Sequence, residues 1–463
     1  MKKKFYIVAL LIPLLLFSAI PVVAADNVTI DEESIYYIVV DRFNNAESAN
    51  DSEVDLSNPT AYHGGDIQGV ISRLDYVKDM GFTSILLSPI FENESDTFYP
   101  YVVKDRRTIN EHYGTSDDLK QLVKEAHDKG MKIILDLGVH SNDETLNDEL
   151  IEVSKQWVQE ADIDGYKLDL VDGVSANFIE TLSTQLKDEK EDFLLLGQPV
   201  GVDKKLQELE AAGLDSIFNI IPYEGMTSFS VPDQAFKDVE KTWEQAQAFE
   251  NPNALLKFLD NTNTVRFTYL ATEANEHPAP RLKTALTYLY TTPGIPVILY
   301  GTEIALNGSE SPGNLGLMDF RTDKELVDYI TLLAKIRSGV PALTKGTIEL
   351  VKNDAGLLVF KREYEGEAAF VAINNTTKTQ SFTLTTDEVG DDKELFGLIT
   401  EELIRPTDSK FDVVVNRDVS EVFVVRDTTK INYTLLFAVF IVPVLMIGFI
   451  YLNKKRHGKS KPE

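Results

Sequence analysis

Short runs of apolar residues alternate along this chain with longer stretches in which apolar residues recur every three or four positions. Ile35 to Val40, Thr83 to Leu87, Lys132 to Asp136, Gly165 to Asp169, Phe193 to Gly197, Asp215 to Ile220, Leu255 to Leu259 and Pro296 to Tyr300 read as buried strands. Gln68 to Met80 and Ser116 to Lys129 carry the helical period, and helical stretches follow the later strands as far as Ser338. Strands alternating with amphipathic helices build βαβ units, and eight such units close into a (β/α)8 TIM barrel, expected here over residues 26–341. After Pro341 the pattern changes to short β-type runs, Thr347 to Val351, Gly356 to Glu363, Ala368 to Asn374, Gln380 to Thr385 and Val422 to Val425, with turn residues between them. These predict a small antiparallel β-sandwich domain over 342–427.

The two ends have a different character. Met1 to Lys4 is basic, Phe5 to Val23 is apolar, and Ala24-Ala25 follows, which fits a secretory signal over 1–25. Tyr433 to Leu452 is 20 residues without a charge, enough to cross ~30 Å of hydrocarbon. A juxtamembrane segment and one transmembrane helix are therefore expected over 428–452. Lys454, Lys455, Arg456, Lys459 and Lys461 make 453–463 a basic tail, placed in the cytoplasm with the rest of the chain extracellular.

Composition narrows the function. A chain of 463 residues that is 43% hydrophobic can bury one large core and a smaller second one. Its net charge of −29 repels nucleic acid, and zero cysteines exclude disulfides, thiolate metal sites and cysteine nucleophiles. Gly165 to Gly173, GYKLDLVDG, is a strand that delivers the Asp169 carboxylate to its own C-terminal end, the end where barrels carry their chemistry.

Several motifs then resemble the α-amylase superfamily, glycoside hydrolase family 13. They are YHGGDIQGV (Tyr62 to Val70), GFTSILLSPI (Gly81 to Ile90), HYGTSDDLKQLVKEAHDKGMKIILD (His112 to Asp136) and GIPVILYGTEI (Gly294 to Ile304). The resemblance implies a barrel with a C-terminal β domain and an α-glucan site at the strand ends. A retaining reaction there needs two carboxyl groups about 5–5.5 Å apart, one attacking and one protonating the leaving oxygen. The family nucleophile falls on Asp169, but its neighbouring arginine is Lys167, which keeps the charge and loses the bidentate fork. The acid/base position falls on Gln198, which cannot transfer a proton, and the transition-state aspartate falls on Asn263, with Thr262 in place of a histidine. Tyr99 and Ser141 stand where two further sugar-binding histidines belong, and His140 takes the place of a calcium-binding asparagine. Lys167, Phe98, Tyr99 and Arg266 are expected to contact substrate.

Another part of the resemblance is a calcium loop. Asn45, Glu47, Asn50 and Asp51, with Gly64 and Asp66, match the oxygen-rich loop of cyclodextrin glucanotransferase-like members, so a calcium ion is expected. The leading expectation is a membrane-anchored, catalytically degenerate member of the family that binds an α-glucan or oligosaccharide or acts as an interaction subunit with a protein partner at the membrane. The alternative is an active α-1,4-glucan hydrolase with an unusual acid, for which Asp172 and Glu224 are candidates.

Overall fold

The computed structural model describes residues 29–428, except 100, 140–147, 171–173, 200–205, 220–222, 235, 237–238 and 355, and also 441–452. The expected signal segment, the basic tail and Ser141, His140 and Asp172 lie outside the described residues.

The apolar runs form the barrel strands. In chain order they are β1 (Ile35–Ile38), β2 (Ser84–Leu87), a hairpin of β3 (Phe91–Asn93) and β4 (Val103–Ile109), then β5 (Lys132–Asp136), β6 (Gly165–Leu170), β7 (Leu194–Pro199), β8 (Ser216–Ile217), β9 (Leu256–Phe258) and β10 (Ile295–Leu299). All but the hairpin join one parallel sheet in the order β8-β7-β6-β5-β2-β1-β10-β9. An isolated parallel bridge, Phe218 to Leu256, brings the β8 and β9 sides together and nearly closes the barrel. These strands are buried on both faces, which is why they read as continuous apolar runs and not as alternating ones.

Helices cover the outside. The helix Ser116–Asp128 starts from a capping box between Thr115 and Asp118 and packs Leu119, Leu122, Val123 and Ala126 inward. Gly130 ends it at φ +66, a left-handed conformation that costs glycine little and turns the chain into β5. Between β5 and β6 the helix Asp148–Ala161 occupies most of the described chain.

The second domain holds β11 (Thr347–Asp354), β12 (Leu357–Tyr364), β13 (Glu367–Asn374), β14 (Gln380–Thr385), β15 (Lys393–Gly397), β16 (Leu403–Ile404), β17 (Lys410–Val415) and β18 (Ser420–Asp427). A six-stranded antiparallel sheet, β11-β12-β13-β18-β15-β16, faces the pair β14-β17 around Val359, Phe370, Leu384, Phe411, Val413 and Phe423. Alternate residues of the same strands, Leu358, Phe360, Val371 and Val422, join the core of the barrel. The small domain is therefore fixed to the barrel by apolar packing, with the Trp243 and Phe360 rings 5.6 Å apart.

The expected single-pass topology is corrected. Among the described residues no helix is long and apolar enough to cross a membrane. Residues 441–452 are helical; the first part of the expected span, 433–440, lies outside the described residues. The placement of the chain as a membrane-anchored ectodomain with a cytoplasmic tail falls with it.

Candidate active site

The C-terminal ends of the barrel strands frame a cleft of about 320 Å³. Tyr37 and Val39 enter it from β1 and the residue after it, Asp136 from β5, and Lys167 and Asp169 from β6. Phe98, Tyr99 and Tyr101 form an aromatic wall, and Thr262, Asn263, Ser311 and Leu315 close the far side.

Lys167 is the electrostatic centre. Its Nζ donates to Asp136 Oδ2 at 2.8 Å and to Asp169 Oδ1 at 2.8 Å. Burial works against the ammonium, yet the two carboxylates outweigh burial and hold the lysine pKa above its ordinary value. The Tyr37 hydroxyl donates to Asp136 Oδ2 at 3.3 Å, and Asp136 Oδ1 accepts the Gly138 amide at 2.9 Å. Burial, then the nearby Asp136 charge, push the Tyr37 phenol up, so it stays a donor. The Tyr101 hydroxyl is buried at the cleft without a hydrogen-bond partner.

The three positions expected to carry catalysis come together in part. Asp169 lies in the cleft, and Gln198 is its Cα partner on the neighbouring parallel strand. Asn263 lines the opposite side, in a turn where its amide donates to Asn261 Oδ1 at 2.8 Å. Asn314 Nδ2 stitches this turn by donating to the carbonyls of Thr262 and Thr264 at 3.0 and 2.7 Å. An acid does stand nearby, Asp260, but it is buried and engaged by the Phe267 amide at 3.0 Å and the Thr302 hydroxyl at 3.2 Å. Its part is to hold the loop.

Phe98 and Tyr99 line the cleft, Phe98 beneath the Arg42 guanidinium at 4.5 Å. Arg266 stands elsewhere. Its guanidinium is 0% exposed, donates to the Asn314 carbonyl at 2.8 Å and lies 5.1 Å from the Tyr300 ring, outside the cleft lining. Sequence reasoning missed Tyr37 and Tyr101 as site residues. The signal for Tyr37 was the two-residue alternation of β1, which turns Tyr37 and Val39 to the same side.

The oxygen-rich loop is compact. Asn45 Nδ2 lies 2.7 Å from Asp51 Oδ1, and Asn50 Oδ1 is buried with no partner. Both Asn45 and Asp51 close over Gly64, where a Cβ would come within 2.5 Å of Asn45 Nδ2 and 2.9 Å of Asp51 Oδ1. The donor set of Asn45, Asn50 and Asp51 thus fits a hard cation. Asp66 organises the backbone instead. Its oxygens accept the amides of Ala46, Glu47 and Gly69 at 3.1, 2.8 and 2.5 Å, which ties the loop to the start of the helix Ile67–Ile71. Glu47 accepts the Ala49 amide at 3.2 Å. Among the described residues no three histidine or acidic side chains gather into a metal cluster, so a cation here would rest on the one Asp51 carboxylate and on amide oxygens.

Comparison with known proteins places this architecture. The α-amylase catalytic-domain model matches residues 37–145, and the α-amylase C-terminal-domain model matches 346–423. The solved α-amylase from Anoxybacillus, described as giving insight into a new glycosyl hydrolase subclass, is 40% identical, covers 88% of this chain and 100% of its own, and superposes with a TM-score of 0.81. The α-amylase from Geobacillus thermoleovorans, solved with acarbose, is 36% identical over 87% of this chain and 100% of its own, with a TM-score of 0.80. The β/α-amylase of Paenibacillus polymyxa is 28% identical over 77% of this chain, which spans only 35% of that relative.

Proposed function

The chain belongs to the α-amylase family, glycoside hydrolase family 13, and from that premise we propose that it serves carbohydrate metabolism by binding α-glucan chains in the barrel cleft without hydrolysing them. One observation carries the reading: the side chains at 198 and 263, beside and across from Asp169, are both amides. A missing general acid costs about 10²–10⁴ in rate, and a missing preorganised charge about 10²–10³. These losses are not strictly additive, but Thr262 also stands where the resemblance implies a sugar-binding histidine. Asp169 itself is held by the Lys167 ammonium, which makes it a hydrogen-bond acceptor for sugar hydroxyls.

The cleft chemistry favours a sugar over a protein partner. Aromatic faces with a few converging polar groups suit a pyranose, whereas outside 441–452 the large apolar side chains exposed among the described residues are only Leu56, Leu317, Leu403 and Val414. The second reading is an active hydrolase, favoured by the presence of Asp169 in the cleft and by the 40% identity to an α-amylase. Calorimetric titration with maltooligosaccharides beside a reducing-sugar assay separates the two. The loop 45–51 is proposed to hold calcium through Asn45, Asn50 and Asp51, where the ion would supply loop rigidity and no chemical step.

A further inference from the structure

We propose that Arg42, which lies outside the cleft lining, is the positioning residue of the aromatic wall, and that the glucan affinity of the cleft depends on it. This rests on the glucan-binding reading above and names a residue on which the same site is built. Arg42 is 0% exposed and sits just after β1, in the turn of helix Val40–Phe43. Its guanidinium lies over the Phe98 ring, 4.5 Å from the centroid, and its Nη2 donates to the carbonyls of Pro59 and Ala61 at 2.8 and 3.0 Å. Between those two, the Thr60 carbonyl accepts the Tyr99 amide at 3.1 Å. Three consecutive carbonyls are thus divided between the arginine and the wall: the outer two are fixed by one nitrogen, and the middle one holds Tyr99. Asp41 steadies the far end of the same segment, accepting the His63 and Gly64 amides at 2.9 and 3.3 Å, and pairs with Arg42 Nε at 3.2 Å.

Stability does not account for this arginine. A buried ion pair is often no more stabilising than apolar side chains of the same volume, and Arg42 Nη1 has no hydrogen-bond partner, which weighs further against it. What the guanidinium supplies is a flat face for Phe98 and a donor edge for the 59–61 segment at a fixed angle, which the single rotating ammonium of a lysine does not reproduce. Phe98 is 4% exposed and Tyr99 only partly buried, so Tyr99 is the ring that a sugar reaches. A ring held in place before the ligand arrives loses less freedom on binding, and that difference appears as affinity.

The test is a double-mutant cycle on the full-length chain, read by titration calorimetry with maltoheptaose: the unmodified protein, Arg42→Lys, Tyr99→Ala and the two together. Arg42→Lys and Tyr99→Ala should each weaken binding about tenfold, and the pair should bind little more weakly than Tyr99→Ala alone, because the arginine acts through the tyrosine it holds. An arginine that only stabilised the fold would give losses that multiply. Hydrogen exchange in the unmodified protein needs no variant and gives a second reading: the Tyr99 amide should be protected. Unchanged affinity in Arg42→Lys, losses that multiply to about a hundredfold in the pair, or a Tyr99 amide that exchanges as fast as free chain would overturn the proposal. If the unmodified protein binds maltoheptaose and one of these is found, the glucan reading stands and only this one is removed; no binding by the unmodified protein removes both.

Discussion

Asp169 and Gln198 are Cα partners on the adjacent parallel strands β6 and β7, so the two positions that the resemblance assigns to nucleophile and acid are neighbours, and one of the two is an amide. Strand spacing alone puts such partners about 4.8 Å apart, and a glutamate at 198 would reach the separation that retaining hydrolysis needs.

Gln198→Glu alone is expected to leave maltoheptaose hydrolysis at background. Asn263 would still provide no charge to the oxocarbenium-like state, and Thr262 would still leave the sugar ring poorly held, where small errors in attack geometry are costly. The pair Gln198→Glu with Asn263→Asp should raise a weak, measurable activity. An ordinary amylase rate from the single substitution would contradict this account of positions 262 and 263.

Lys167→Ala should cost about 3–5 kcal/mol of stability, because Asp136 would be left as a buried, uncompensated carboxylate. The check is the denaturant midpoint of unfolding. Adding Asp136→Asn should recover part of the loss, and no recovery would mean that packing, not charge, dominates the site.

The fold was largely legible and the chemistry only in part. Apolar runs marked all eight barrel strands, since strands buried on both faces leave a strong signal, but Asp215 to Ile220 shrank to Ser216–Ile217 at the place where the barrel barely closes. The hairpin of β3 and β4 was not seen because Val103–Ile109 carries Lys104, Asp105, Arg106 and Arg107 and buries only Val103, Arg106 and Ile109. Lys393–Gly397 and Lys410–Val415 were hidden by their charged starts. The family resemblance pointed to Asp169, Gln198 and Asn263, yet it could not separate Asp66, which holds three backbone amides, from Asp51, which pairs with Asn45, nor show that Arg266 turns inward. Hydropathy at 433–452 gave a spanning helix that the described structure does not contain.

Chelation should lower the melting temperature if the loop 45–51 holds calcium, since a ligand at a hundredfold excess over its Kd stabilises the folded state by about 2.7 kcal/mol. Asp51→Ala should abolish the dependence on calcium. Asp66→Ala is expected to destabilise the protein with or without the ion, because it leaves three backbone amides without their acceptor at once. A melting temperature indifferent to chelator in the unmodified protein would leave the loop as a polar turn.

Stability should rise on mild acidification. Burial pushes the Asp41 carboxyl up to about 6, against the pull of Arg42 and the His63 and Gly64 amides, and burial also raises Asp66 and Glu303. A carboxyl whose folded pKa lies above its unfolded value holds its proton better in the folded state. Its contribution therefore favours folding most below about pH 4 and declines as the pH rises towards about 6. Relief of self-repulsion in a chain of net charge −29 acts the same way. The melting temperature should be higher near about pH 5 than near about pH 7. It should fall again under stronger acid, where Glu32 and Asp118, whose pKa values are lowered in the folded state, take up protons. A flat or falling profile from neutral to mildly acidic pH would contradict this.

Glucan binding without cleavage is read in one experiment, by titrating the full-length protein with maltoheptaose while reducing ends are counted in the same sample. The account predicts saturable binding heat, lost when Tyr99 and Tyr101 are replaced by alanine, together with turnover at the background rate. Turnover on the order of 10–10³ per second that disappears in Asp169→Asn would contradict it and establish an active hydrolase.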